Sequence, residues 1–214
     1  LTGDLFAPTA PWAERLGPGT MLLHGFAAEL APQLHADLRA ITAAAPFRHM
    51  QTPGGYAMSV AMTNCGPYGW VTDRAGYRYS STDPESGRPW PALPAAWLDL
   101  AERAATTAGF PGFVPDACLI NRYQPGAKMA RHQDRDERDF AAPIVSVSLG
   151  LPATFLFGGE QRAERLARLP LEHGDVLVWG GPDRLRFHGV APIKAGCHPL
   201  FGEQRINLTF RQAR

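Results

Sequence analysis

No stretch of this sequence stays apolar for the roughly 20 consecutive residues that a bilayer-spanning helix needs, so no membrane-embedded role is expected. No basic segment leading into an apolar run opens it, which argues against export and for the cytoplasm. Cysteine is scarce: Cys65, Cys118 and Cys197 are odd in number and lack the close spacing of a metal site. Reduced thiols of an intracellular protein are the expectation. Net charge is also nearly absent, at +1. That balance does not demand a nucleic-acid partner, but a local basic patch would still permit one. What the sequence has in plenty is turn residues, 20 Pro and 22 Gly in 214. Set between short apolar runs, they point to a mainly β protein with flanking helices. The length suits one domain, or a domain with an added lobe, and is enough to bury a proper core.

The chain divides at about residue 92. Residues 1–20 are rich in Pro and Gly and read as an irregular arm, and Met21 to Phe26 as a short strand. Leu30, Leu34, Leu38 and Ile41 mark one stripe of a helix, with Pro32 tolerated in its first turn. Residues 47–92 are loop-like but hold Tyr56, Tyr68, Trp70, Tyr77, Tyr79 and Trp90. So many aromatics argue against disorder. Either they close a small satellite core, or they form a lid whose planar side chains stack on a flat substrate. From residue 93 onward a second helix, Pro94 to Thr107, carries Trp97, Leu98, Ala101 and Ala105 on one side and ends at Gly109 and Pro111. Short strands follow at Ala117 to Tyr123, Pro143 to Gly150, Ala153 to Phe157, Val176 to Trp179 and Arg205 to Arg211. Gly158-Gly159 reads as a hairpin turn, and the charged run Glu160 to Arg168 as a loop. The strand count fits a jelly roll, a double sheet able to enclose a small molecule.

Two stretches carry chemistry. In His132-Gln133-Asp134, an extended backbone turns residues two apart to the same face, so one imidazole and one carboxylate converge. His188 is the candidate third ligand. Two His and one carboxylate on one side of an octahedral ion leave three positions open, the arrangement of non-haem Fe(II) oxygenases. A His-x-Asp pair by itself recurs by chance. In Arg205-Ile206-Asn207-Leu208-Thr209-Phe210-Arg211, polar and apolar residues alternate strictly. The arginines could face water on a surface strand. They could instead face an acidic small molecule, because the guanidinium fork grips a carboxylate with two hydrogen bonds.

Taken together, His132-x-Asp134, His188 and Arg205-x-Asn207-x-Thr209-Phe210-Arg211 resemble the AlkB family of Fe(II)/2-oxoglutarate-dependent dioxygenases. Thr52 to Tyr56, Met62 to Gly66, Asn121-Arg122-Tyr123, Pro143 to Gly150 and Gly174-Asp175-Val176 extend the resemblance over almost the whole chain. It implies a double-stranded β-helix (jelly-roll) core over residues 93–214 and a nucleotide-recognition lid within residues 1–92. It implies oxidative demethylation of N1-methyladenine and N3-methylcytosine in single-stranded DNA, or in bases flipped from a duplex. Fe(II), O₂ and 2-oxoglutarate would be consumed or used, and formaldehyde, succinate and CO₂ released. His132, Asp134 and His188 would hold the metal, with Arg211 beside them. Asn121, Tyr123, Arg205, Asn207, Thr209 and Arg211 would bind 2-oxoglutarate. Trp70 would stack on the base opposite His132 and Tyr77 would contact the substrate backbone, with Tyr79, Asp136 and Arg162 also on the substrate side.

Arg131 departs from the family pattern, which has an apolar or small residue before the first ligand; strand alternation points it away from the metal. His24, His35, His49, His173 and His198 have no partner at ligand spacing and read as structural or surface residues. A monomer is expected. The competing readings are an RNA- or tRNA-modifying hydroxylase of the same family, a protein hydroxylase, and a jelly-roll module that binds a metal without turnover.

Overall fold

A computed structural model describes residues 11–214. In chain order the strands are β1 (Trp12–Gly17), β2 (Thr20–His24), β3 (Ala61–Cys65), β4 (Gly69–Asp73), β5 (Gly76–Ser80), β6 (Ala117–Tyr123), β7 (Met129–His132) and β8 (Ile144–Gly150). They continue with β9 (Ala153–Phe157), β10 (Ala167–Leu171), β11 (Val176–Trp179), β12 (His188–Val190) and β13 (Arg205–Arg211). Helix α1 (Ala31–Ala44) follows β2 and α2 (Ala95–Thr107) follows β5.

Seven strands form one sheet in the order β1-β2-β11-β8-β13-β6-β3, and four form a second in the order β10-β9-β12-β7. Two layers facing across a core make the expected jelly roll. The hairpin β4-β5 is a third, separate sheet. The residues before 93 therefore supply β1, β2 and β3 to the large sheet, and only this hairpin stands apart from both layers.

Alternation along the central strands builds two cores at once. Cys118 and Ile120 on β6, Val145, Val147 and Leu149 on β8, and Ile206, Leu208 and Phe210 on β13 face the helices. There they meet Leu34, Leu38 and Ile41 of α1 and Trp97, Leu100, Ala101, Ala104 and Ala105 of α2. Burying each leucine or isoleucine of this layer contributes roughly 1.5–3 kcal/mol. Pro32 lies in the first turn of α1, where its missing N–H costs nothing. Leu98 is only half-buried, and Leu100 takes the core position assigned to it. The opposite faces of the large sheet's strands turn inward between the sheets, with Leu119 of β6, Ile144 of β8 and Leu177 and Trp179 of β11 against Phe155, Phe157 and Val190.

Two further sequence expectations need correction. Residues 12–17 are not irregular: they form β1, paired antiparallel with β2 from Trp12↔His24 to Gly17↔Thr20. The Trp12 ring stacks on His24 at 3.9 Å. The strand is an exposed edge with no buried face, so it leaves no alternation to read. Residues 1–10 of the expected arm lie outside the described residues. The charged run after Gly158-Gly159 is also not loop throughout, because Ala167–Leu171 pairs with β9 as an edge strand. Pro170 is compatible with that place, since an edge position need not donate a ladder hydrogen bond.

Candidate active site

β13 is buried on both sides. Its apolar residues lie under the helices, and Arg205, Asn207, Thr209 and Arg211 turn into the space between the sheets. Arg205 is only 1% exposed, which rules out a surface strand with arginines in water. β6 lies beside it in register, Asn121 opposite Asn207 and Tyr123 opposite Arg205.

The three residues predicted as ligands meet at the open end of this space. β7 and β12 pair antiparallel with His132 opposite His188, and the two ring centroids are 4.4 Å apart. Asp134 follows β7 and presents Oδ1 3.5 Å from His132 Nε2 and Oδ2 3.8 Å from His188 Nε2. One potential ligand atom from each residue lies within 4.8 Å of the others, so a single ion could touch all three. The tautomers suit it. His132 Nδ1 donates to the Ala130 carbonyl at 2.9 Å and His188 Nδ1 to the Arg186 carbonyl at 3.0 Å. A carbonyl only accepts, so the proton sits on Nδ1 and the Nε2 lone pair is free for a metal.

Charge and burial around the triad favour the ligating forms of Asp134 and His188. Burial alone would raise the Asp134 carboxyl. The Arg211 guanidinium and the two imidazoles overcome that and hold it well below the ordinary range. Arg211 donates to Asp134 Oδ2 through Nη2 at 2.7 Å and Nε at 3.1 Å. Burial, and next the neighbouring His132 ring, push His188 down to about 4, so it stays neutral. Burial also acts to lower His132, but its hydrogen bond to Asp134 and that carboxylate's charge outweigh it and raise the ring.

Behind the triad lies a site with unused donors. Arg205 Nη2 donates to Ser148 Oγ at 2.9 Å. Its Nε and Nη1 are buried without a partner among the described residues, as is Asn121 Oδ1. A buried polar group left unsatisfied costs about 1–3 kcal/mol, so these atoms are available to a ligand. Burial lowers Arg205 only to about 10 and pushes the Tyr123 phenol up to about 12. At neutral pH a charged guanidinium and a phenolic O–H therefore face the same place, fitted to one carboxylate of a dicarboxylic acid. Asn207 is fixed by bonds from Nδ2 to Ser146 Oγ (2.8 Å) and the Val147 carbonyl (3.0 Å), and Thr209 donates to Asn207 Oδ1 at 2.9 Å. These two shape the floor of the pocket, which Phe155 and Trp179 close on the apolar side.

The β4-β5 hairpin stands over the segment that follows Asp134. Trp70 and Tyr77 stack with centroids 5.7 Å apart, and Trp70 Nε1 donates to Asp136 Oδ2 at 2.7 Å. Tyr77 is half-exposed at 50%. Tyr79 is placed differently from the other substrate-side candidates: it is buried and donates its hydroxyl to Glu137 Oε1 at 2.6 Å. Arg162 is exposed on the β9–β10 connection. Arg131 turns away from the triad, as alternation requires, and hydrogen-bonds the carbonyls of Arg162 and Glu164. The departure from the family pattern thus ties β7 to the loop that bears Arg162.

Sequence reasoning missed Glu137 and Arg184. Both are buried, paired at 3.0 Å, and Arg184 also donates to the Asp134 carbonyl at 2.9 Å. In the sequence Glu137 is one charge in a solvated-looking run, and nothing there marks Arg184 as its partner. The remaining histidines stay out of the triad. His24 meets Glu14 and Asp175, His49 bonds the Met58 carbonyl, and His173 and His198 pack ring to ring at 4.2 Å.

A pocket that offers an ion ligands from one side only, next to a buried clamp for a second acid group, is the equipment of the non-haem iron dioxygenases that consume 2-oxoglutarate. Residues 19–211 fit the family described as the 2OG-Fe(II) oxygenase superfamily. The chain is 60% identical over 210 residues to the alpha-ketoglutarate-dependent dioxygenase AlkB of Escherichia coli (strain K12), covering 98% of this chain and 97% of that one. It is 58% identical, with the same coverage, to the AlkB of Salmonella typhimurium. The solved structure of OsALKBH1 superposes with a TM-score of 0.82 at 29% identity, covering 94% of this chain and 99% of that one. The chain belongs to the AlkB family of Fe(II)/2-oxoglutarate-dependent dioxygenases.

Proposed function

We propose that the enzyme removes methyl groups from ring nitrogens of nucleobases in DNA, with N1-methyladenine and N3-methylcytosine as substrates. For each methyl oxidised, one O₂ and one 2-oxoglutarate are consumed. Formaldehyde, succinate, CO₂ and the unmethylated base are produced. Fe(II) with 2-oxoglutarate supplies the oxidising power when bound, and His132, Asp134 and His188 are the residues to hold the iron. Arg205, Tyr123 and Asn121 have the open donors and acceptor for the distal carboxylate of 2-oxoglutarate. Arg211 keeps Asp134 ionised and caps the same pocket, while Asn207 and Thr209 form its floor.

The single observation that carries the nucleobase reading is the Trp70 indole, half-buried and tethered through Asp136 two residues past Asp134. A broad aromatic face held at the edge of a metal pocket suits a flat ring better than a peptide. It also favours a methylated base that carries positive charge, through cation–π attraction. Such a base cannot reach the pocket inside a duplex, so it enters from a single strand or flipped out. Its damaged pairing edge lowers the cost of flipping. Tyr77 and Arg162, both exposed, are placed to meet the nucleic-acid backbone. A monomer acting in the cytoplasm is part of this proposal. Among the described residues no helix is long and apolar enough to cross a membrane.

The test is incubation of an N3-methylcytosine oligonucleotide with the enzyme, Fe(II), ascorbate and 2-oxoglutarate, read by mass. Loss of one methyl mass, absent with His132→Ala, is the expected result. Succinate formation that the oligonucleotide does not stimulate would sink the reading.

A further inference from the structure

The recognition hairpin has no backbone ladder to either large sheet, yet its tryptophan is held in place. The Tyr68 N–H donates to the Asp116 carbonyl at 3.0 Å just before β4, and Thr72 Oγ1 to the Gln51 carbonyl at 3.1 Å within it, but the Trp70 backbone is held by one side chain. Asn64, on the edge strand β3, is fully buried. Its Nδ2 donates to the Trp70 carbonyl at 3.0 Å, and its Oδ1 accepts from the Trp70 N–H at 3.0 Å. A primary amide that both gives to and takes from one residue reproduces the paired hydrogen bonds of an antiparallel ladder. Only Asn has this donor and acceptor at this reach. Asp lacks the donor, and Leu, of similar shape, lacks both.

The packing around the amide is built for this approach. A Cβ on Gly69 would lie 2.4 Å from the Trp90 ring and 2.8 Å from Asn64 Cβ, so β4 sits against Asn64 only because residue 69 is glycine. Trp90 is itself fixed by a hydrogen bond from Nε1 to the Ser80 carbonyl at 3.0 Å, at the end of β5. The Trp70 indole is therefore constrained at its backbone by Asn64 and at its ring nitrogen by Asp136.

We infer that Asn64 is a positioning residue for base recognition: its amide stands in for a missing strand pairing and fixes where the Trp70 ring lies. It does not line the pocket that holds His132, Asp134 and His188. The inference rests on the reading of Trp70 as the base-stacking residue, and two measurements keep the two claims apart.

The first is amide hydrogen exchange of the whole protein, wild type against Asn64→Ala and Asn64→Ser. The clip predicts faster exchange in residues 69–73, with β6, β8 and β13 unchanged. No change in β4, or faster exchange spread through the central sheet, overturns it. Asn64→Ser covers the case in which the alanine variant fails to fold. The second is kinetics on a methylated single-stranded oligonucleotide. Loss of the two hydrogen bonds is expected to raise KM for the oligonucleotide about tenfold. Succinate formation without oligonucleotide should stay within about twofold of wild type. Combining Asn64→Ala with Trp70→Ala should be no worse than Trp70→Ala alone. Independent, multiplying effects of the two substitutions overturn the positioning role. Faster exchange in β4 combined with a Trp70→Ala variant of unchanged KM would instead refute the stacking reading and leave the clip standing.

Discussion

Replacing Arg205 with methionine should move stability and cofactor affinity in opposite directions. The guanidinium is 1% exposed and, without a ligand, spends one donor on Ser148 while Nε and Nη1 have no partner among the described residues. Exchanging an incompletely paired buried charge for an apolar side chain of similar volume is often neutral or stabilising, by about 1–4 kcal/mol. In the absence of 2-oxoglutarate, Arg205→Met should thus melt at or above the wild-type temperature. With the co-substrate the order reverses. Hydrogen bonds to charged groups are worth about 1.5–3 kcal/mol each. Losing the two that Nε and Nη1 are free to make is about 3–6 kcal/mol, and KM for 2-oxoglutarate should rise by at least about a hundredfold. Saturating ligand should stabilise the wild type by about 2.7 kcal/mol at a hundred times Kd. For a domain of this size that raises Tm by roughly 5–10 °C, and the variant should show almost none of it. Thermal melts with and without 2-oxoglutarate, alongside initial rates over a range of its concentration, test both halves. A variant that melts far below wild type without ligand would make Arg205 a structural residue. An unchanged KM would remove it from the cofactor site.

Asp134→Ala leaves the buried Arg211 without its closest counter-charge. It should cost about 3–5 kcal/mol of stability and abolish turnover, measurable by chemical denaturation and succinate release. Trp70→Ala should raise KM for a methylated oligonucleotide by about tenfold or more, from the loss of about 1–3 kcal/mol of base stacking. Equal losses on cationic and neutral lesions would count against the cation–π contribution. Chelation should abolish activity, Fe(II) should restore it, and His188→Ala should not recover. His173 gives a pH signature away from the metal. Burial, then the adjacent His198 ring, lowers its pKa from 6.5, and its Nδ1 accepts from the Gly150 N–H at 3.1 Å. The unfolded chain takes up a proton near 6.5 that the native ring refuses. The stability contribution is therefore complete above that pH and is lost as pH falls below it. His173→Gln should flatten the decline in denaturation midpoint between pH 7 and pH 5.5, and an unaltered slope would refute the assignment.

Much of the site was legible because two periodicities coincided with chemistry. The alternation in residues 205–211 correctly separated two faces, but the sequence left open which face met water. Burial of both could not be read, since a central strand with a polar inner face looks like an exposed one. The His132-x-Asp134 spacing placed two ligands on one side, and the pairing of β7 with β12 supplied the third. What escaped was held by contacts distant in sequence. β1 has no buried face and exists through its partner β2. Glu137 looked like a solvated charge and is instead buried against Arg184, with Tyr79 from the hairpin donating to it. Tyr79 was grouped with the other aromatics of its region because composition does not distinguish an inward ring from an outward one.

The isolation of the β4-β5 pair has a consequence for how such an enzyme changes. A surface that selects damaged bases must vary as the damage varies, whereas the oxidising chamber must not. On the function proposed above, the selecting surface belongs to a small ribbon outside both layers of the barrel-like core. Substitutions at its tip, around Arg74 and Ala75, leave every ladder of the chamber untouched. Ribbons exchanged between relatives at this point, with Asn64 and Gly69 retained, would be expected to carry substrate preference with them.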